Sequence, residues 1–522
     1  MDIRKLPIGI QDFEYIRKNN FVYADKTAYI SSLARNGKVY FLFRPRRFGK
    51  SLLISTFHAY FEGKKNLFSG LAAEKIEAQY PDAWTAYPVF EFNFTGKDYS
   101  TSDALFKTLD YHLGQWESIY GSEFKQEPVE LRFRHLIETA CKKTGHGVVV
   151  LTDEYDKPLL ETINAPELHE KNRALLKGFF GVLKATDQWL RFAFFTGVTK
   201  FSHVSIFSDL NQLRDISMTE AFCAICGITQ NELEKNFTPE ISALAGQQHL
   251  THGECLAELR RMYDGYHFYP DTEGLYNPFS LLNAFANRDF QAYWFATGTP
   301  TFLVRQLEKA DYDIRDFTEG VEATAQILSD YRIDNPDPVP LFYQSGYLTI
   351  KDYDRELRIF TLTYPNDEVK YGFLNFLTPF YTGLQETKQT LYIGQFVRDI
   401  RAGKLDSVME RFQTVYAGLP YSSGKPPERD FQIVIYLVFT LLGQFVKNEV
   451  HSSKGRADCI LETKDAVYIF EFKVDAGADD ALRQIEEKGY AEPFKADPHK
   501  IIKIGVSFSS EKRNIAEWKT NI

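Results

Sequence analysis

Apolar and polar residues alternate along this chain in two rhythms. Between Lys38 and Phe43 the run K-V-Y-F-L-F is short, branched and aromatic, the pattern of a buried strand, and Ser51 to Tyr60 follows with helical spacing. Two further runs, Val148 to Thr152 and Arg191 to Phe195, predict strands that lead into Asp153-Glu154 and Thr196-Gly197. Helical stretches lie between them, which predicts an α/β fold: a parallel sheet with its functional groups at the strand ends. Thr229 to Phe237 and Gly253 to Tyr263 read as helices, and Tyr276-Asn277-Pro278-Phe279-Ser280 reads as a turn into another. The first domain is expected to end near Phe285. From there to about Ser423, helical and short strand patterns mix in a mostly helical connecting or sensing region, with loops at Pro336 to Pro340 and Gly418 to Pro427.

The most apolar stretch, Phe431 to Val446, falls short of the roughly 20 residues a bilayer requires and contains Gln432 and Gln444, so it predicts a buried helix. Arg456 to Glu462 and Ala466 to Lys473 then read as two strands joined through Lys464 and Asp465. The expected domains are 1–285, 286–423 and 424–522.

Composition agrees with a modular, folded chain: 522 residues exceed one ordinary core, and 44% of them are hydrophobic and 15% aromatic. A net charge of -9 excludes a generally basic nucleic-acid coat, so any such contact must be local. Met1 to Ile10 carries charges and Pro7 without a long apolar run, so no secretory signal or membrane segment is expected and the cytoplasm is the default. Five cysteines set no disulfide framework. Cys223 and Cys226 have C-x-x-C spacing but no second pair to complete a metal site, and they read as structural.

The segment R-P-R-R-F-G-K-S, Arg44 to Ser51, lies between the first strand and its helix, where a phosphate loop belongs. Such a loop wraps phosphates in backbone N–H groups, adds a lysine and places a hydroxyl on magnesium. Arg44 stands in place of the first glycine, while Gly49, Lys50 and Ser51 remain. Asp153 is expected to complete magnesium coordination, Glu154 to orient the attacking water and Thr196 to sense the terminal phosphate. Arg46 and Arg47 offset phosphate charge in cis or contact another domain. Asp156 and Lys157 read as a solvated ion pair.

In the second site, a tight turn at Lys464-Asp465 sets Asp458 across from Glu471, and Lys473 shares that face because strand side chains alternate. Two carboxylates and a cation are what metal-dependent phosphodiester cleavage needs, with Asp458 and Glu471 as metal ligands. The bland alternative is a surface hairpin with an ordinary E-x-K ion pair. His249, His252 and Cys255 superficially form a metal cluster, and the aromatics from Tyr263 to Tyr269 a base-stacking patch, yet packing is the better expectation for both.

R-P-R-R-F-G-K-S, L-T-D-E-Y-D-K-P and F-T-G-V-T-K-F-S together resemble the bacterial AAA-ATPase-like family that carries a carboxy-terminal PD-(D/E)XK nuclease-superfamily domain. The resemblance extends to L-P-I-G-I-Q-D-F and Y-A-D-K-T near the start, whose chemical purpose the sequence does not reveal. It implies a P-loop ATPase fold followed by a restriction-endonuclease-like α/β domain. It also implies that Glu428 is the helical acidic residue of the nuclease site, with Glu449 as the competing assignment, and that Gln484 and Tyr490 form the auxiliary Q-x-x-x-x-x-Y element. The expected function is an ATPase, with ATP and Mg2+ as its cofactors, coupled to a magnesium-dependent nuclease acting on DNA before RNA. The alternative is a nucleotide-dependent signalling or scaffold protein that binds nucleic acid without cutting. A homo-oligomer is compatible with either.

Overall fold

The computed structural model describes residues 4–521 except 201–206, 208–209, 211, 296–300, 311, 330–336, 383–385, 419–427, 444–446, 451–457 and 496–498. The chain divides into two compact units, Met1–Tyr312 with Glu319–Val369 and Asp313–Thr318 with Lys370–Ile522.

The first unit is built on a parallel sheet of β1 (Val39–Phe43), β2 (Val89–Asn93), β3 (Val148–Asp153), β4 (Leu190–Gly197) and β5 (Arg214–Asp215), in the order β2-β3-β4-β1-β5. β1 and β3 are buried at every position, as expected of inner strands covered on both faces. β2 and β5 escape the apolar-run pattern. V-F-E-F-N alternates on the sheet edge, and β5 is two residues long. Both βα turns that matter here leave the carboxyl ends of strands that flank β4, so they emerge on the same edge of the sheet with one strand between them.

Helices Gln230–Gln247, His252–Tyr263 and Pro278–Asn287 share a core around Leu233, Phe237, Leu259 and Phe285. Their starts are fixed by capping boxes at Thr229–Glu232 and Thr251–Glu254 and by the Asn277 side chain on the Phe279 and Ser280 amides. Thr251 is therefore a helix cap, and Cys255 is fully buried with its thiol toward the Ile241 carbonyl, which leaves the His249–Cys255 segment a packing role. An antiparallel sheet of β6 (Val321–Thr324), β7 (Thr349–Asp354) and β8 (Ile359–Thr363), in the order β6-β8-β7, completes the unit. The expected loop at Pro336 to Pro340 is in part the helix Val339–Ser345, whose second residue is that proline, a position where the missing N–H costs nothing; Pro336 lies outside the described residues.

The second unit carries β9 (Lys447–Val450), β10 (Cys459–Glu462), β11 (Ala466–Val474), β12 (Lys500–Ser509) and β13 (Asn514–Asn521), in the order β13-β12-β11-β10-β9. β11 and β12 run parallel, joined by helix Ala478–Glu487, and the other pairs are antiparallel. Helix Glu428–Leu442 packs on this sheet: the Phe439 ring lies 4.9 Å from Phe470 and 5.4 Å from Phe412 of helix Leu405–Ala417. Among the described residues no helix is long and apolar enough to cross a membrane.

Candidate functional site

β1 delivers the loop Arg44 to Gly49 to helix Lys50–Phe61. The loop turns through two left-handed residues, Arg47 at φ 63° and Gly49 at φ 97°. Such conformations let successive backbone N–H groups converge on an anion. A Cβ added to Gly49 would meet no atom within 4 Å, so the glycine serves the backbone angle and leaves open space before the helix N-terminus. That space belongs to a cleft of about 500 Å³ lined by Arg46, Arg47, Lys50 and Ser51 on one side and Glu154, Asp156 and Lys157 on another. Lys50 is buried, and its ammonium donates to the carbonyls of Arg44 and Pro45, both at 2.9 Å. Burial pushes its pKa down, and the charges of Glu154, Asp153 and Asp156 push back.

Arg44, in place of the usual first glycine, takes no part in the cleft wall. Its guanidinium is fully buried and donates to the carbonyls of Phe43, Ser217, Phe222 and Cys223, while lying 3.9 Å from the Phe268 ring centroid. The aromatic run is accordingly core: Tyr266 and Phe268 are buried and hold Phe48 of the loop edge-on at 4.9 and 5.5 Å.

At the end of β3, Asp153 accepts from the Thr196 hydroxyl at 2.7 Å, and its other oxygen is buried without a protein partner. Thr196 is fully buried and spends its hydroxyl on Asp153, which orients that carboxylate. Glu154 sits in a left-handed conformation, φ 52°, and borders the cleft. Asp156 and Lys157 form no solvated pair. Asp156 is 1% exposed and accepts from the amides of Val198 and Thr199 and the Thr199 hydroxyl, whereas the Lys157 ammonium is 3.7 Å from Glu161. The reason is Gly197: a Cβ there would come within 2.7 Å of Asp156, so the missing side chain lets β4 close over the carboxylate. Burial pushes the Asp156 pKa up to about 6 against those hydrogen bonds.

Other parts of the cleft lie far away in sequence. Pro7, Gly9, Ile10 and Gln11 line it, as do Pro278, Phe279 and Leu282. L-P-I-G-I-Q-D-F thus supplies a wall of the site, and its Asp12 caps helix Phe13–Lys18. Y-A-D-K-T is structural: Asp25 accepts from the amides of Thr27 and Ala72, and Lys26 pairs with Glu232 at 2.6 Å. A smaller apolar cavity of about 100 Å³, lined by Val22, Ile30, Phe48, Ile225 and Cys226, shares Gly49, Leu52 and Pro278 with the cleft. The unpartnered Asp153 oxygen and the open cradle before Lys50 fit a phosphate with its cation.

The second site sits on one hairpin. The register pairs Cys459 with Phe470 through Glu462 with Val467, which brings Asp458 to the position facing Glu471. Asp458 accepts from the Phe472 amide at 2.8 Å. Glu471 is 1% exposed; one oxygen accepts from Lys473 at 3.0 Å and the other is buried with no protein partner. Burial first, and then the Asp458 charge, pushes the Glu471 carboxyl up to about 7, with Lys473 opposing. Lys473 donates to Gln484 at 2.6 Å, and Gln484 to the Tyr490 hydroxyl at 3.4 Å. All five residues are brought together. A carboxylate that is buried, like-charged with its neighbour and short of one donor fits a divalent cation between Asp458 and Glu471. Glu428 opens its helix and Glu449 pairs with Ile460 in β9, but the side chains of both lie outside the described residues.

Residues 7–207 match the family model described as a predicted AAA-ATPase, and residues 426–518 the PD-(D/E)XK nuclease superfamily. The chain is also similar, at 36% identity over 532 residues, to a protein of Azotobacter chroococcum mcd 1 described as an uncharacterized protein in the vnfD 5′ region. That alignment covers 99% of this chain and 98% of the relative.

Proposed function

Since the chain belongs to the family of predicted AAA-ATPases that end in a PD-(D/E)XK nuclease-superfamily domain, we propose that it binds and hydrolyses ATP in the cleft and uses it to control phosphodiester cleavage. The triphosphate rests on the loop amides and Lys50, with Arg46 and Arg47 at the mouth. The base occupies the adjoining apolar cavity. Ser51 and Asp153 hold magnesium, Thr196 fixes Asp153, and Glu154 orients the water that attacks the terminal phosphate.

At the hairpin, Asp458 and Glu471 are the proposed metal ligands. The cation they bind supplies Lewis-acid charge to the scissile phosphate. Lys473, held by Gln484 and Glu471, is placed to position the nucleophile. Glu428 is the proposed third acidic group. DNA is the first proposed substrate and RNA the second, because the cutting chemistry acts on phosphate and no base-reading motif separates the two.

The observation that carries this reading is the buried, half-satisfied Glu471 beside Asp458 and Lys473. The test is cleavage of labelled single-stranded and duplex DNA and RNA with magnesium, with and without ATP. ATP-stimulated cutting is expected. Nucleic-acid binding without cutting of any substrate would support the scaffold reading. The modules proposed to carry the two activities are 1–285 and 424–522, separated by a connecting region at 286–423. A fragment ending at Phe285 keeps every residue named in the cleft but omits Gln344, which accepts from the buried Lys200 amide at 2.7 Å. It is therefore expected to bind ATP more weakly than the full chain.

A further inference from the structure

One buried carboxylate ties together two walls of the phosphate cleft. Glu368, at the start of helix Asp367–Thr382, is 1% exposed. Its Oε1 accepts from the Trp294 backbone amide at 2.7 Å and from the Ser280 hydroxyl at 3.0 Å. Ser280 stands in the first turn of helix Pro278–Asn287, whose Pro278, Phe279 and Leu282 line the cleft. The Trp294 indole N–H donates to the carbonyl of Arg46 at 3.1 Å.

A trans peptide is planar, with its N–H opposite its C=O. An indole that captures the Arg46 carbonyl therefore aims the Arg47 amide in the opposite direction. The next residue shows why such a hold is needed. Arg47 has φ 63°, a conformation that costs a non-glycine residue on the order of 1–3 kcal/mol and persists only where its surroundings impose it. Its guanidinium lies 5.0 Å from the Phe279 ring centroid, on the same helix that Glu368 anchors through Ser280. Trp294 and Glu368 lie outside both stretches that match the family models.

We propose that Trp294 and Glu368 are positioning residues of the nucleotide site: Trp294 holds the Arg46–Arg47 peptide in its anion-accepting form, and Glu368 locks Trp294 and helix Pro278–Asn287 against it. The proposal rests on the reading of the cleft as an ATP site. Neither residue touches the reacting atoms. Their contribution is to fix, before the ligand arrives, a loop that would otherwise be ordered at each binding event.

The test is calorimetric titration of the full chain with ATP and magnesium, for the wild type, W294F, E368Q and K50A, alongside the tryptophan emission of each and its nucleotide-free melting temperature. W294F keeps the ring and loses the indole N–H. It is expected to bind ATP about tenfold more weakly, with melting unchanged to within a few degrees and with the nucleotide-induced change in emission gone. E368Q is expected to lose affinity severalfold. Wild-type affinity and an unaltered emission response in W294F would overturn the positioning role while leaving the ATP site standing. An absence of ATP binding by the wild type, or undiminished binding by K50A, would overturn the ATP reading and this proposal with it.

Discussion

The cleft and the hairpin both gather fixed charge, yet they recruit it from the chain in opposite ways. Cleft residues run from Pro7 to Leu282 and come from several separate elements, among them the loop after β1, the turn after β3 and the first turns of helix Pro278–Asn287. The hairpin site runs from Asp458 to Tyr490, on two paired strands and the helix that follows. The cations differ as well. Lys50 is buried and satisfied by its own loop carbonyls, whereas Lys473 is partly exposed and already held against a carboxylate and an amide. A site assembled from distant strand ends can be reshaped by whatever moves those ends. A site on one hairpin is fixed once the hairpin forms.

The sharpest way to break this contrast is at the hairpin. Asp458→Ala and Lys473→Ala are each expected to reduce cleavage by about 10³-fold or more, several kcal/mol of lost transition-state stabilisation, with ATP affinity unchanged by calorimetry. Excess manganese should recover a little activity in the Asp458 variant, and the Lys473 variant should retain metal binding. Cleavage by both at the wild-type rate would remove the hairpin from the mechanism.

Lys50→Ala should weaken ATP binding by about 10²-fold, since the phosphates lose their buried cation, and any cutting that proceeds without ATP should survive it. Glu154→Gln asks less of the cleft. It should bind ATP normally and turn it over about tenfold or more slowly in a phosphate-release assay, and unchanged turnover would clear Glu154 of the water-orienting role.

The last expected effect is on stability. The folded Asp156 carboxyl has its pKa raised by burial to about 6, above its unfolded value, so the native state binds the proton more readily. Its contribution is greatest at low pH and declines as pH rises from about 4 through about 6, by at most about 3 kcal/mol. Urea melts of wild type and Asp156→Asn across that window should show a steeper decline in the wild type than in the variant.

How much was legible in the sequence follows the same contrast. β1, β3, β4, β10 and β11 announce themselves as apolar runs, and the two-residue turn at Lys464-Asp465 determines the register that brings Asp458 opposite Glu471. Local pattern was enough because the site is local. In the cleft, Gly49, Lys50 and Ser51 are visible from their spacing, but Pro7–Gln11 and Phe279 reach it only through tertiary packing that no periodicity encodes. Asp156 misled for a similar reason: beside Lys157 it looks like a surface pair, and only the close approach permitted by Gly197 buries it. Arg44 reads as a lost glycine in the sequence, although its side chain leaves the loop altogether.

That buried guanidinium also decides when disorder is removed from the loop after β1. With four backbone carbonyls from Phe43 and the 217–223 segment on its terminal nitrogens, the entry to the loop is ordered when the chain folds. The entropy is then lost on folding, and in the proposed ATP site loosening Arg44 should appear as slower ATP association even where the bound complex is the same.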